Sequence, residues 1–581
     1  MTASVNRSQR ALLQEAGRAV VMLALVALAA CGGAEESDAP PVATDPESAP
    51  SRSVRFVDVT EELGLAVRHI PGVDEDYAMP AVMGGGFAVF DLEGDGDPDL
   101  YVVQSGEQMP YEGPRRAANV LLRNDGGRFA DVSDGSGADD RGYGQGVAVG
   151  DVDSDGHVDL FVTNFGPDVL LRNRGDGTFE DVTAAAGVAG DGWSSSALFV
   201  DFDADGLLDL FVARYVEFDP DRVCLLQSGL RDFCGPAQFR GASDRLYRNL
   251  GDFRFEDVSR SSGVAARADR GLGVAAADFD EDGRLDLYVA NDTDPNHLWI
   301  NRGDGTFSED GVLLGVAFNR FGVGEAGMGV AVGDADLDGD PDLFVSHLIE
   351  ETNTLYENRG AAGFEDVTAQ WGLSVDSVGY TGFGTMFADF DNDGDPDLAV
   401  ANGAVKQRPD ALIAPGRASW AIEKYVEPNQ RFENLGAGRF RLAGADDFSA
   451  SLAVHRGLTA VDLDGDGDLD LLVSQIEGPL LAFRNDGGEA GPALRLRVLE
   501  GRRTAFGATV EVSLGGKVRR LLVEPLGGYL TSGDQPLHFG LGESTSIDDI
   551  VVEWVGGERE AFAVDDIGGV VELRRGEGSP G

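Results

Sequence analysis

Lysine is nearly missing from this sequence of 581 residues: only Lys406, Lys424 and Lys517 occur. Lys and Arg together number 46 against 101 Asp and Glu, a formal charge of −55. Without concentrated basic surface the chain has no footprint for phosphate backbones, so no nucleic-acid partner is expected. Charge-driven adsorption to anionic lipid is excluded on the same ground. Histidine is scarce too, at six residues, none spaced i, i+4, which leaves no His-based catalytic or zinc motif. G-x-S-x-G, H-E-x-x-H and phosphate-loop patterns do not occur, and no catalytic residue is assigned. No apolar run is long enough for a membrane helix. The run Ala19–Ala30 has 12 residues where about 20 are needed.

That run has a different reading. Arg7, Arg10 and Arg18 precede it and Leu28-Ala29-Ala30-Cys31 ends it, the layout of an export signal whose close resembles the bacterial lipobox. Residues 1–30 are therefore expected to be removed, with Cys31 lipidated as the new N-terminus. The membrane would be touched through that anchor alone, at the outer membrane, periplasm or cell surface. Residues 31–53, rich in Pro, Ser and acid, read as a flexible tether. Of the three cysteines only Cys224 and Cys234 remain, and two Cys without clustered His do not complete a zinc shell. In an exported chain they are expected to form a disulfide.

What the sequence has in abundance is glycine, 81 residues, and acid placed at a fixed spacing. Seven nine-residue loops open at Asp91, Asp151, Asp201, Asp278, Asp334, Asp389 and Asp462, about 62 residues apart on average. A Gly-containing apolar run precedes each loop and a Leu-led apolar run follows it, so each loop joins two strands. A second strand motif ends in Asn (Leu121–Asn124, Leu171–Asn173, Leu246–Asn249 and later copies), and a third opens at Phe129, Phe179, Phe255, Phe307, Phe364 or Phe440. Tight Gly-Asp-Gly turns connect the last two. Four strands per unit, repeated, predict an all-β fold built on a β-propeller over 54–488. The seventh unit lacks its last strand, whereas Phe56-Val57-Asp58-Val59-Thr60 precedes the first loop without a partner. Pairing the two would close a seven-bladed ring.

Each loop carries acid at positions 1, 3, 5 and 9 and Gly at position 6, the signature of a hard-cation site in which the carbonyl of position 7 also coordinates. The predicted ligands are Asp91, Glu93, Asp95, Asp97 and Asp99 in the first loop and Asp151, Asp153, Asp155, His157 and Asp159 in the second. The third offers Asp201, Asp203, Asp205, Leu207 and Asp209, and the fourth Asp278, Asp280, Asp282, Arg284 and Asp286. The fifth offers Asp334, Asp336, Asp338, Asp340 and Asp342, the sixth Asp389, Asp391, Asp393, Asp395 and Asp397. The seventh offers Asp462, Asp464, Asp466, Asp468 and Asp470. An EF-hand is excluded because position 12 is apolar, as at Val102, Val162 and Val400. Carboxylates about 4 Å apart repel by up to ~4 kcal/mol per pair at an effective dielectric near 20. Seven such loops in one register therefore predict up to seven Ca²⁺ in structural rather than catalytic roles. The loops resemble the FG-GAP/VCBS repeats of integrin α-type propellers.

Residues 489–575 alternate as short strands, a small β-sandwich or barrel, with 576–581 expected as a flexible tail. Gly527–Ser532, Leu537–Gly542 and Val551–Trp554 resemble the ASPIC/UnbV domain, and the chain as a whole is similar to the bacterial relatives of cartilage acidic protein. That resemblance implies calcium binding and an envelope or extracellular place. Long insertions fall on the face opposite the acidic loops, the default site for recognition. His69, Trp193, Tyr215, Asn291, Asp292, Asp294, His347, Tyr380 and Asn402 are the candidate ligand residues there, unless they satisfy loop backbone instead. The expected function is a monomeric binding, adhesion or scaffold module for a protein or glycan. A polysaccharide-active enzyme with its site on that same face is the alternative. Two Arg-Gly-Asp triplets, Arg174–Asp176 and Arg302–Asp304, read as turn residues rather than adhesion motifs.

Overall fold

The acidic loops and their apolar flanks fold as hairpins, and the repeat units become seven sheets, six of four antiparallel strands and that of blade 1 with a fifth, parallel strand, Ser532–Gly533. The computed structural model describes residues 53–581 apart from 73–76, 107–116, 227–228, 230, 407–421, 488–490, 526, 545 and 565–567. The expected signal segment, Cys31 and the tether as far as residue 52 lie outside the described residues. Among the described residues no helix is long and apolar enough to cross a membrane.

Blade 2 represents the unit: strand A Gly144–Gly150, B Asp159–Asn164, C Val169–Asn173 and D Phe179–Asp181. The A strands of blades 1 and 3 to 7 are Phe87–Phe90, Ser194–Val200, Gly271–Ala277, Val330–Gly333, Gly382–Ala388 and His455–Val461. Blade 7 takes its D strand from the other end of the chain. Phe56–Asp58 pairs antiparallel with the C strand Leu481–Asn485, Phe56 opposite Asn485, as the split unit predicts.

Successive blades bury their apolar faces against each other, and the packing runs around a complete circuit. Ala88 and Phe90 of blade 1 meet Val147 and Val149 of blade 2. At the far end Val461 and Leu472 of blade 7 meet Phe87, Val89 and Leu100 of blade 1. Each fully buried Val, Leu or Phe contributes about 1.5–3 kcal/mol, so side-chain packing closes the ring where no continuous ladder does. The C-strand Asn adds a polar stitch. Asn301 Nδ2 donates to Phe202 O of the preceding blade at 2.7 Å and to Leu285 O of its own at 3.1 Å. Asn249, Asn358, Asn434 and Asn485 make the same reach backward.

The C-terminal residues form two sheets. One contains Ala493–Glu500 and Val570–Arg574 in parallel, and the other is centred on Asp549–Glu553. The expected flexible tail is not one: Ser579–Pro580 pairs with Arg559–Phe562, and Gly576 N donates to Glu560 at 2.9 Å. The otherwise solvent-facing edge strand gives these residues backbone partners. Nor does this part stand apart, because residues 51–581 cluster as one unit.

The join is a short finger. Residues 528–532 run through the hub of the ring and touch the A strand of every blade. Ser532 pairs with Ala88 of blade 1, and Leu530 O accepts from Val147 N of blade 2 at 3.3 Å. Leu530 N donates to Ser196 Oγ of blade 3 at 3.0 Å. Gly273 of blade 4 leaves no room for a Cβ beside Gly528 O. Gly528 O accepts from Val330 N of blade 5 at 3.1 Å, and Tyr529 stacks edge-on against Phe383 of blade 6 at 4.9 Å. Thr531 Oγ1 donates to Leu458 O of blade 7 at 3.4 Å.

Candidate metal centres

Every acidic loop is wound by two left-handed residues. Position 6 is always Gly with φ between +83° and +104°, which an L side chain resists. Position 4 is also left-handed, Ser154 at +59° and Leu337 at +63° among them. This double reversal folds the carboxylates inward. Asp151 Oδ1 accepts from Asp155 N at 3.0 Å and Oδ2 from Gly156 N at 2.8 Å, and Asp155 Oδ1 accepts from His157 N at 3.0 Å.

Position 9 does a second job that the motif alone does not reveal. Asp159 Oδ2 accepts from Val152 N at 3.0 Å and Oδ1 from Asn173 N at 2.8 Å, tying the loop mouth to strand C. The C-strand Asn N–H makes this bond in all seven blades. Position 9 is thus a clamp as well as an available ligand. At position 7 His157 packs on Gly175, and Arg284 donates from Nε to Asn301 O at 3.2 Å while pairing with Asp282 of its own loop. Both Arg-Gly-Asp triplets are turns, Asp176 and Asp304 accepting from Thr178 N and Thr306 N at 3.1 Å.

The donors suit a hard divalent cation. Carboxylate oxygens of Asp151, Asp153 and Asp159 lie within 4.8 Å of one another, as do those of Asp201, Asp203 and Asp209, and of Asp334, Asp336 and Asp342. Asp278, Asp280 and Asp282 group likewise, as do Asp389, Asp391 and Asp393. Asp153 Oδ1, Asp334 Oδ1 and Asp397 Oδ2 are buried with no protein partner, an arrangement that costs free energy unless a cation supplies the missing interaction. Burial pushes the position 9 acids far up, Asp99 to about 7, Asp286 to about 8 and Asp209 to about 9. Burial does the same at position 1, lifting Asp151 and Asp278 to about 6 and Asp334 to about 7. Neighbouring carboxylates add to the rise.

The C-terminal sheets cap this face with arginines. Arg495 Nη1 lies 2.6 Å from Asp462 Oδ2, Arg503 Nη2 3.8 Å from Asp201 Oδ2 and Arg519 Nη1 3.2 Å from Asp395 Oδ1. Arg502 donates to Asp155 O at 2.8 Å and Arg520 to Gly339 O at 3.1 Å. Between cap and ring lies a cavity of about 390 Å³. Asp278, Asp334, Asp389 and Asp462 border it on the ring side, and Arg495, Arg519 and Arg520 on the cap side.

On the other side, the residues expected at a ligand face are drawn into the packing of the fold. His69, Trp193, Tyr215, Asn291, Asp292, His347 and Asn402 are buried, and Asp294 and Tyr380 are half-buried. They serve the fold. Trp193 Nε1 donates to Gln145 Oε1 at 3.0 Å, Tyr215 Oη to Asp292 Oδ2 at 2.5 Å and Asn402 Nδ2 to Pro428 O at 2.9 Å. Arg270 pairs with Asp294 at 2.6 Å, and burial drives the imidazoles of His69 and His347 down to about 3. Cys224 and Cys234 form the expected disulfide within this layer, Cα atoms 5.2 Å apart.

A ring of four-stranded blades with an acidic loop in each A–B hairpin defines a repeat propeller, and the chain belongs to the FG-GAP-like repeat family. That family's profile matches residues 91–162, 151–212, 229–289, 278–345, 348–400 and 407–473, and the ASPIC and UnbV family matches 499–580. Among individual proteins it is related to cartilage acidic protein 1. It is 28% identical to the Mus musculus protein over 342 residues, 56% of this chain and 48% of that one. To the Homo sapiens protein it is 29% identical over 325 residues, 53% of this chain and 44% of that one. The chain spans less than half the length of these relatives. A lectin structure from Burkholderia pseudomallei aligns with 71% of this chain and 98% of its own at 11% identity, with a TM-score of 0.41.

Proposed function

We propose that this protein is a calcium-stabilised recognition module, exported and tethered to a membrane by lipidated Cys31, that binds a protein or glycan group between its cap and its metal loops. The cavity carries this reading: first-position aspartates of four loops form one wall and three cap arginines the other. Its volume of about 390 Å³ falls in the range of small-ligand sites. Calcium in those loops would supply fixed positive charge, hold the hairpins rigid and set the cap in place. Seven sites of one register suit a scaffold role better than a single catalytic centre. Export is supported by the apolar run before Cys31 and by the Cys224–Cys234 bond, which suits an oxidising compartment.

A glycan and peptide array probed in calcium and in EGTA tests the recognition site, with Leu537→Trp as the variant that fills the cavity. Binding retained in calcium and lost in both EGTA and L537W is expected. Ligand binding indifferent to both would overturn the placement, and release of product from a bound glycan would favour an enzyme. For the anchor, C31A should move the protein from the membrane to the soluble fraction. Unchanged membrane association would contradict it.

A further inference from the structure

The residue directly before the stitching Asn holds the same register position in every C strand, and its chemistry changes around the ring. Blades 1, 2, 3 and 7 carry Arg123, Arg172, Arg248 and Arg484, blade 4 carries Ile300, and blades 5 and 6 carry Glu357 and Glu433. In blade 2 Arg172 Nη2 stands 2.7 Å from Asp153 Oδ2 and 3.3 Å from Asp155 Oδ2, the loop acids of positions 3 and 5. Arg123 stands 3.7 Å from Glu93 at position 3 of loop 1. These guanidiniums cancel part of the charge a cation would otherwise meet.

Blade 5 reverses the sign. Glu357 is 3% exposed and its carboxylate lies against that of Asp336, position 3 of loop 5, with Asp338 nearby. Arg359 holds Oε1 at 2.5 Å, whereas Oε2 is buried without a partner. A buried carboxylate oxygen facing a second carboxylate and no donor lacks what a cation provides. Glu433 holds the same register position in blade 6: Arg441 lies 2.6 Å from Oε2, and Oε1 is buried and unpartnered. Ligand charge is what tunes calcium affinity in oxygen-donor loops.

We propose that Glu357 is an additional oxygen ligand to the cation of loop 5, and Glu433 to that of loop 6, so that the seven loops are a graded set. Loops 5 and 6 fill first, and the loops whose acids an arginine neutralises fill last: 1, 2, 3 and 7, and loop 4, where Arg284 pairs with Asp282. This rests on the calcium reading above. It also places the tightest ions beside the cavity, which Asp334, Asp340 and Asp389 border.

Calorimetric titration of calcium-depleted full-length protein with Ca²⁺ tests the grading. The wild type should show more than one affinity class. Glu357→Gln should remove one site from the tight class, weakening it about tenfold or more, and Glu433→Gln should do the same independently. Arg172→Glu should add a tight site. The metal-free E357Q protein should melt no lower than metal-free wild type, since the substitution removes a carboxylate repulsion. A wild-type isotherm with calcium binding but an unchanged tight class in E357Q and E433Q would overturn this assignment alone. A metal-free E357Q protein destabilised as much as the loaded one would also overturn it, by making the residue structural. No binding to wild type at all would overturn the calcium reading and this assignment with it.

Discussion

At the scale of single residues, the aspartates of the acidic loops work against ordinary carboxylate behaviour. Asp209, Asp286, Asp342 and Asp470 are lifted by burial to about 8 or 9, whereas an unfolded Asp titrates near 4. A folded-state value above the unfolded one means that the folded chain holds its protons more tightly. That stability is fully present below about pH 4 and is lost progressively as pH rises from about 4 to about 9. The metal-free protein should therefore melt progressively lower from pH 5.5 to pH 8.5. Because calcium displaces those protons, the rise in Tm that it causes should grow over the same interval. Thermal melts at matched ionic strength check both trends, and a calcium effect that shrinks with pH would contradict them. The acids at positions 1, 3 and 5 were legible from spacing alone. The clamp at position 9 was not, because its partners, such as Asn301 N on Asp286, sit on a strand that the loop motif does not include. The burial of the opposite-face residues was hidden for a related reason. A polar side chain at a strand end can serve a ligand or a loop backbone, and only packing decides between them.

At the scale of elements, strands, hairpins and the closing pair Phe56–Asp58 with Leu481–Asn485 follow from repeat counting. The finger through the hub does not. Its partners are seven strands scattered along the chain, and nothing in Gly527-Gly528-Tyr529-Leu530-Thr531-Ser532 alternates in a way that announces them. Its geometry is nonetheless strict. A Cβ on Gly528 would lie 1.7 Å from Val330 O and one on Gly86 2.1 Å from Leu530 O. Gly528→Ala should therefore displace the finger. The expected cost is about 1–3 kcal/mol, that of forcing an extra methyl into a packed site, with faster hydrogen exchange over 527–534. Exchange rates equal to wild type would show that the finger tolerates the methyl and that the hub is looser than described.

At the scale of the whole molecule, the charge of −55 is arranged rather than diffuse. Its most concentrated part lines one face of the ring, and the cap meets that face with Arg495, Arg502, Arg503, Arg519 and Arg520. The sequence makes the acidic loops plain and the cap's β-structure readable, but not their docking, which places basic residues from the end of the chain over loops up to hundreds of positions earlier. Loops, cap and finger thus belong to one mechanical unit, and calcium in the loops is proposed to hold that unit together. The most direct measurement is thermal unfolding of the full-length protein in millimolar calcium and in EGTA. Sites filled to a hundredfold excess over Kd each contribute about 2.7 kcal/mol, and a chain of this size gains about 1 °C per kcal/mol. A Tm higher by at least about 10 °C in calcium is expected, with ring and cap melting together. An identical Tm in the two buffers would contradict it.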